Sequence, residues 1–93
     1  MSTITKEKTI SKVDEILSMP YTIWLHNDDY NTFDHVINCM MKVCGHDMEQ
    51  STQIAHLVHF KGLCDVKRGE LEKLSTMKQK LQNAGLNVTL EKN

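Results

Sequence analysis

Three stretches of this 93-residue chain repeat apolar residues at spacings of three and four, and each stops at a glycine. The first runs "TFDHVINCMMKVCG", with Phe33, Val36, Ile37, Met40, Met41 and Cys44 on one side and Gly45 at its end. The second follows Asp47 and runs to Lys61 and Gly62, with Met48, Ile54, Ala55, Leu57 and Val58 on its apolar side. The third is "GELEKLSTMKQKLQNAG", stepping along Leu71, Leu74, Met77 or Lys78, and Leu81 to Gly85. That period is the helical one, and a glycine after the last turn supplies the left-handed residue that closes a helix. The starts agree. Thr32 or Asn31 can cap the first helix, and Asp47 with Gln50 three residues on resembles a capping box.

Placing three helices leaves three short segments. "YTIWLH" (21–26) is rich in β-branched and aromatic residues and puts Ile23 and Leu25 on one face, with Thr22, Trp24 and His26 on the other. "LCDVK" (63–67) and the alternating "LNVTLEK" (86–92) are also strand-like. The order is therefore β-α-α-β-α-β, which predicts an α+β domain: a three-stranded sheet covered by helices on one face. One core domain is expected over residues 19–93. Residues 1–18 carry no sustained period and are expected to be a mobile N-terminal extension.

Charge and composition remove several function classes. The net charge is −1 with neutral histidines, so there is no basic stripe to neutralise a row of phosphates. No apolar run approaches the roughly 18 residues of a membrane span, and the N-terminal segment has no apolar core of a secretory signal. A cytoplasmic location is expected. The three cysteines, Cys39, Cys44 and Cys64, form no Cys-x-x-Cys pair and are expected to be reduced thiols inside helices or strands.

The unusual stretch is "HNDDYN", which interrupts the chain between the first strand and the first helix. Asn27, Asp28 and Asp29 suit a turn in which side chains accept hydrogen bonds from nearby backbone N–H groups. The turn is the plainer reading of the pattern, but they also suit a cation site, because amide and carboxylate oxygens are acceptors and a primary ammonium offers three donors. Adjacent Asp28 and Asp29 would point apart in an extended loop, which argues against an acid–base pair. His56 and His59 are three apart on the second helix. With a cysteine they raise an alternative, a small metal- or thiol-dependent enzyme, but no further pair has metal-ligand spacing.

"LHNDDYNTFDHV", "TQIAHLVHFKG" and the closing "LNVTLEK" together resemble the ClpS family, adaptors of the Clp ATP-dependent protease that recognise N-degrons. The resemblance extends over residues 20 to 92. It implies a fold in which three helices pack on a three-stranded antiparallel sheet. It implies no catalytic residues, no metal and no cofactor. The implied activity is binding of protein N-termini that have a free α-amino group and a bulky first residue (Phe, Tyr, Trp or Leu). The bound protein then passes to the N-terminal domain of a Clp-family AAA+ unfoldase.

Carried across residue by residue, the resemblance assigns Asn27, Asp28 and His59 to the substrate α-amino group. Asp29, Asn31 and Thr32 match positions near the first peptide bond and second residue. Phe33, Val36, Ile54, Ala55, Val58 and Leu86 would line the side-chain pocket, and Glu70 would contact the unfoldase. Many members have Met at the positions of Phe33 and Ala55, so the ranking among Phe, Tyr, Trp and Leu is open. Ser75 stands where members often have a second, lysine contact to the unfoldase.

Overall fold

The computed structural model describes residues 19–93, so the expected extension over 1–18 lies outside the described residues. The elements are β1 (Tyr21–His26), α1 (Phe33–Lys42), α2 (Met48–Lys61), β2 (Leu63–Gly69), α3 (Leu71–Asn83) and β3 (Val88–Lys92). The sheet order is β2-β1-β3, with both pairings antiparallel. The first strand is therefore the central one. Tyr21 stands opposite Gly69 on one side and Lys92 on the other, and Leu25 stands opposite Cys64 and Val88. A register shift between Ile23 and Trp24 interrupts the β1–β2 ladder. This is the α+β architecture expected from the order of elements.

The helices cover the face that carries Ile23 and Leu25, which are 0% and 1% exposed. Met40 of α1, Cys44 in the turn after it, Ile54 and Val58 of α2, and Leu74 and Leu81 of α3 join Val66, Leu86 and Val88 in one core cluster. Thr22, on the opposite face, is buried as well, and its hydroxyl donates to the Asn93 side-chain oxygen.

Local chemistry sets the helix ends. Thr32, rather than Asn31, caps α1 by accepting from the His35 N–H at 3.1 Å. Asp47 caps α2 by accepting from the Gln50 N–H at 2.7 Å. Glu70 occupies the cap position of α3 without a side-chain capping bond. At the other ends, Gly62 (φ 92°) donates its N–H to the Val58 carbonyl, one hydrogen bond closing the last turn of α2. At the end of α3, Gly85 (φ 89°) donates to Gln82 and Leu86 donates to Leu81, the paired bonds of a Schellman motif.

Two expectations about faces are corrected. Met48 and Leu57, placed on the apolar side of α2, are 60% and 39% exposed. The buried face is Ser51, Ile54, Ala55 and Val58. Leu57 precedes Val58 by one residue and so lies about 100° round the helix from it, and Met48 sits in the first turn, beyond the edge of the core. Likewise, Leu86 is not part of the final strand. It is 4% exposed in the turn before β3, where the Schellman geometry holds it inward.

Candidate functional site

The polar loop after β1 is built by its own side chains and by the two glycine turns. His26 donates its backbone N–H to the Asn87 carbonyl at 2.8 Å, which carries β1 to its last residue. Asn27 then donates its N–H to the carbonyl of Gly62, also at 2.8 Å, tying the loop to the end of α2. Asp28 Oδ1 accepts from the N–H groups of Tyr30 (2.9 Å) and Asn31 (2.8 Å), and Oδ2 accepts from Asn31 Nδ2 (2.9 Å). The second hydrogen of that amide goes to the Gly85 carbonyl at 2.9 Å, tying the loop to the end of α3. No non-glycine residue has a positive φ among the described residues, so side-chain bonds, not backbone strain, make this bend.

The two readings of the polar run are thus physically compatible. Asp28 is an Asx-turn residue that spends three acceptor sites on the loop. A carboxylate has about four lone-pair sites, so one remains. The hydrogen bonds also hold its charge in place. The Asn31 N–H lowers the Asp28 pKa below its ordinary value of 3.8, partial desolvation opposes this, and the Asn31 side chain and Tyr30 N–H add to the lowering.

Between this loop, α1 and α2 lies a cavity of about 290 Å³. It falls near the small end of ligand sites, which span roughly 300–1,000 Å³. The structure brings to its wall Asn27, Asp28, Asp29, Asn31, Thr32, Phe33, Val36, Ala55, Val58, His59 and Leu86. Ile54 is not among the lining residues. It is 2% exposed and belongs to the core cluster, since it precedes Ala55 on the helix and turns toward the sheet. Glu70 is exposed at the start of α3 and is also outside the lining.

Leu25 and His26 line the cavity without having been singled out from the sequence. The available signal was position: they end the strand that runs directly into Asn27. His26 Nε2 lies 2.8 Å from Thr89 Oγ1.

The wall divides by chemistry. Val36, Ala55, Val58 and Leu86 are apolar and half-buried or buried, and Phe33 adds an aromatic face that is 36% exposed. Asn27, Asp28 and His59 supply polar atoms to the same cavity. An apolar cavity with a few convergent acceptors suits a small ligand that pairs a large hydrocarbon group with a cation. The His59 ring packs edge-to-face against Phe33, with centroids 5.3 Å apart.

The thiols stand apart from this site. Cys39, Cys44 and Cys64 are buried and free, and none lines the cavity. Burial raises the pKa of each, that of Cys44 to about 11. His35 Nε2 lies 3.7 Å from Cys39 Sγ and 2.7 Å from the Ala84 carbonyl. A carbonyl only accepts, so Nε2 carries hydrogen and is no base for the thiol. Among the described residues no group of three His, Cys, Asp or Glu side chains is arranged to hold a metal ion. No helix among them is long and apolar enough to cross a membrane.

Comparison with known proteins gives a consistent result. The model of the family described as ATP-dependent Clp protease adaptor protein ClpS matches residues 4–89. The adapter protein ClpS of Synechocystis sp. is 38% identical over 68 residues, covering 71% of this chain and 69% of the relative. That of Pectobacterium carotovorum is 36% identical over 67 residues, covering 68% of this chain and 63% of the relative. The solved structure of Agrobacterium tumefaciens ClpS2 bound to L-phenylalaninamide superposes with a TM-score of 0.69. It covers 82% of this chain and 99% of that one, at 22% identity, and so shares the fold. On the match over residues 4–89 and these relatives, the chain belongs to the ClpS family of adaptor proteins of the ATP-dependent Clp protease.

Proposed function

We propose that this adaptor binds protein N-termini that carry a free α-amino group and a bulky hydrophobic first residue, and delivers them to a Clp-type AAA+ unfoldase. The observation that carries this reading is one cavity with two chemistries. Val36, Ala55, Val58, Leu86 and Phe33 offer an apolar wall to a side chain, and Asn27, Asp28 and His59 offer acceptors to an ammonium. Asp29, Asn31 and Thr32 lie along the loop side of the same cavity and are assigned to the first peptide bond and second residue. The ligand of the Agrobacterium relative supports the reading, because L-phenylalaninamide has a free amine, an aromatic side chain and an amide in the place of the first peptide bond.

The chemistry favours both features being read together. A free α-amine has a pKa of about 7.7–8.0 and is largely charged at neutral pH. Burying a Phe or Leu side chain contributes about 1.5–3 kcal/mol. Each charge-assisted hydrogen bond contributes about 1.5–3 kcal/mol. Association itself costs at least about 4 kcal/mol. Neither feature alone overcomes that cost by much, so an internal peptide segment or a small first residue is rejected.

Glu70, exposed and outside the cavity lining, is assigned to the unfoldase surface, so that peptide and unfoldase occupy separate parts of the adaptor. The cytoplasm is the compartment of this activity. The test compares a peptide beginning with free Phe or Leu with its N-acetylated twin. The free peptide should bind, with acetylation reducing affinity at least about tenfold, since removing one ammonium contact of about 1.4 kcal/mol has that effect. Equal binding of the two peptides would remove the amine site from the proposal.

A further inference from the structure

The five histidines fall into two groups. Nε2 of His26, His35 and His46 lies 2.6–2.8 Å from Thr89 Oγ1, the Ala84 carbonyl and the Val66 carbonyl respectively. His56 and His59 make no side-chain hydrogen bond among the described residues, and both are exposed. They are held instead by rings. Phe33 lies edge-to-face with His56 (centroids 5.1 Å) and with His59 (5.3 Å). His56 stacks on Phe60 at 6.2 Å with the planes 8° apart, and Phe60 lies edge-to-face with His59 at 5.2 Å. Each of the four rings therefore touches two others, in a closed cycle.

Only two members of that cycle, Phe33 and His59, line the cavity. Phe60 is 77% exposed and contributes little to the core, and its partner His56 lies one helical turn before it, at the spacing at which side chains meet on a helix. The geometry points to His56 and Phe60 as positioning residues for His59: together with Phe33 they brace its imidazole at the cavity rim while leaving both ring nitrogens uncommitted. A hydrogen bond would fix the imidazole equally well, but it would occupy one nitrogen and dictate the tautomer. Ring packing restricts the side-chain angles and leaves a nitrogen lone pair for the ligand. A pre-set acceptor loses less rotamer freedom when the ligand arrives.

This inference rests on the assignment of His59 to the α-amino group, and the experiment separates the two. Affinities are measured for a peptide beginning with Phe and for its desamino twin, in which a 3-phenylpropanoyl group replaces that Phe. The side chain is kept and the amine is lost. Phe60→Ala and His56→Ala should each weaken the free-amine peptide about twofold to tenfold, the range of one aromatic pair contact. The desamino twin should bind as to the unaltered protein. Phe60→Tyr and His56→Phe, which keep a ring in place, should restore the affinity. Equal losses for both peptides, or no loss for either, would overturn the bracing.

His59→Ala is the control. If it too leaves the free-amine peptide unaffected, the amine assignment is what fails. If it weakens that peptide while the other two variants do not, only the bracing fails. A second readout needs no peptide. Three-bond couplings should report one χ1 rotamer for His59 in the unaltered protein and averaging in both Ala variants. Unchanged couplings would overturn the bracing whatever the peptides do.

Discussion

Replacing Asp28 with Asn separates its task in the loop from the one proposed for it toward an ammonium, because the side chain keeps its size and loses its charge. One oxygen can still accept from the Tyr30 and Asn31 N–H groups, at the places now 2.9 and 2.8 Å from Oδ1. The other position becomes an NH2 group facing Asn31 Nδ2, donor against donor. Asn31 cannot repair this by rotating its amide, because the same Nδ2 donates to the Gly85 carbonyl and a flip would set oxygen against oxygen. One charge-assisted bond is lost, worth about 1.5–3 kcal/mol where water is excluded. The site faces solvent, which screens the charge, so the expected loss of folding stability is about 1 kcal/mol.

The effect on ligand is larger. Unit charges 4 Å apart attract by about 1 kcal/mol in bulk water and about 4 kcal/mol near a protein surface. Even the lower part of that range predicts a loss of about tenfold in affinity for a free-amine peptide. Urea titrations followed by the fluorescence of the single tryptophan, Trp24, measure the first quantity, and peptide binding measures the second.

Acid pH supplies the internal check. The folded-state pKa of Asp28 is depressed, so its contribution is present above the ordinary value of 3.8 and is lost as pH falls below that toward the folded value. The stability gap between the unaltered protein and Asp28→Asn should be full at pH 7 and should narrow below pH 3.8. A gap that is absent at neutral pH, or that stays constant through the acid range, would refute the account of the loop. Undiminished binding of the free-amine peptide to the variant would refute the account of the charge.

Two further outcomes follow from buried groups. Ser51 Oγ is fully buried and has no hydrogen-bond partner among the described residues, so Ser51→Ala should be neutral or stabilising by up to about 1 kcal/mol in urea denaturation. A clear destabilisation would mean that the hydroxyl is bonded after all. Cys44 is 3% exposed with its pKa raised to about 11, which leaves about one thiolate in ten thousand at pH 7. Iodoacetamide should therefore label Cys44 far more slowly in the folded protein than in urea, as mapped on peptides. Equal rates would contradict its placement.

The helices were legible because each of their signals is local. Thr32, Asp47, Gly62 and Gly85 act within a few residues of themselves, and they cap or close the helices where the pattern predicts. Burial was less legible because it depends on which neighbours meet a face. Nothing about a serine at position 51 says that it faces the core while Leu57 faces solvent. Leu86 looked like the start of an alternating strand, and its burial comes from a turn instead.

At the site, the loop could be read as an Asx turn or as a cation site, and the bonds of Asp28 show that the turn is real. Local pattern carries no information that His59 stands across a cavity from Asn27. Only the resemblance joined those two, and Ile54, one residue from the cavity lining, shows how coarse such joining is. The bracing rings were invisible for the same reason, since Phe33 meets His56 and His59 only after α1 has packed on α2.

The central position of β1 sets a timetable for the working protein. β1 is the first strand of the sheet, and one of its two neighbours is the last. The last residue of β1 draws on the carbonyl of Asn87, and its loop on those of Gly85 and Gly62. Contacts between such distant parts of a chain form late. On a ribosome the cavity beside this loop cannot close until residues 85–92 have been made and have cleared the exit tunnel. A ligand therefore meets a finished cavity only once β3 has emerged and joined the sheet.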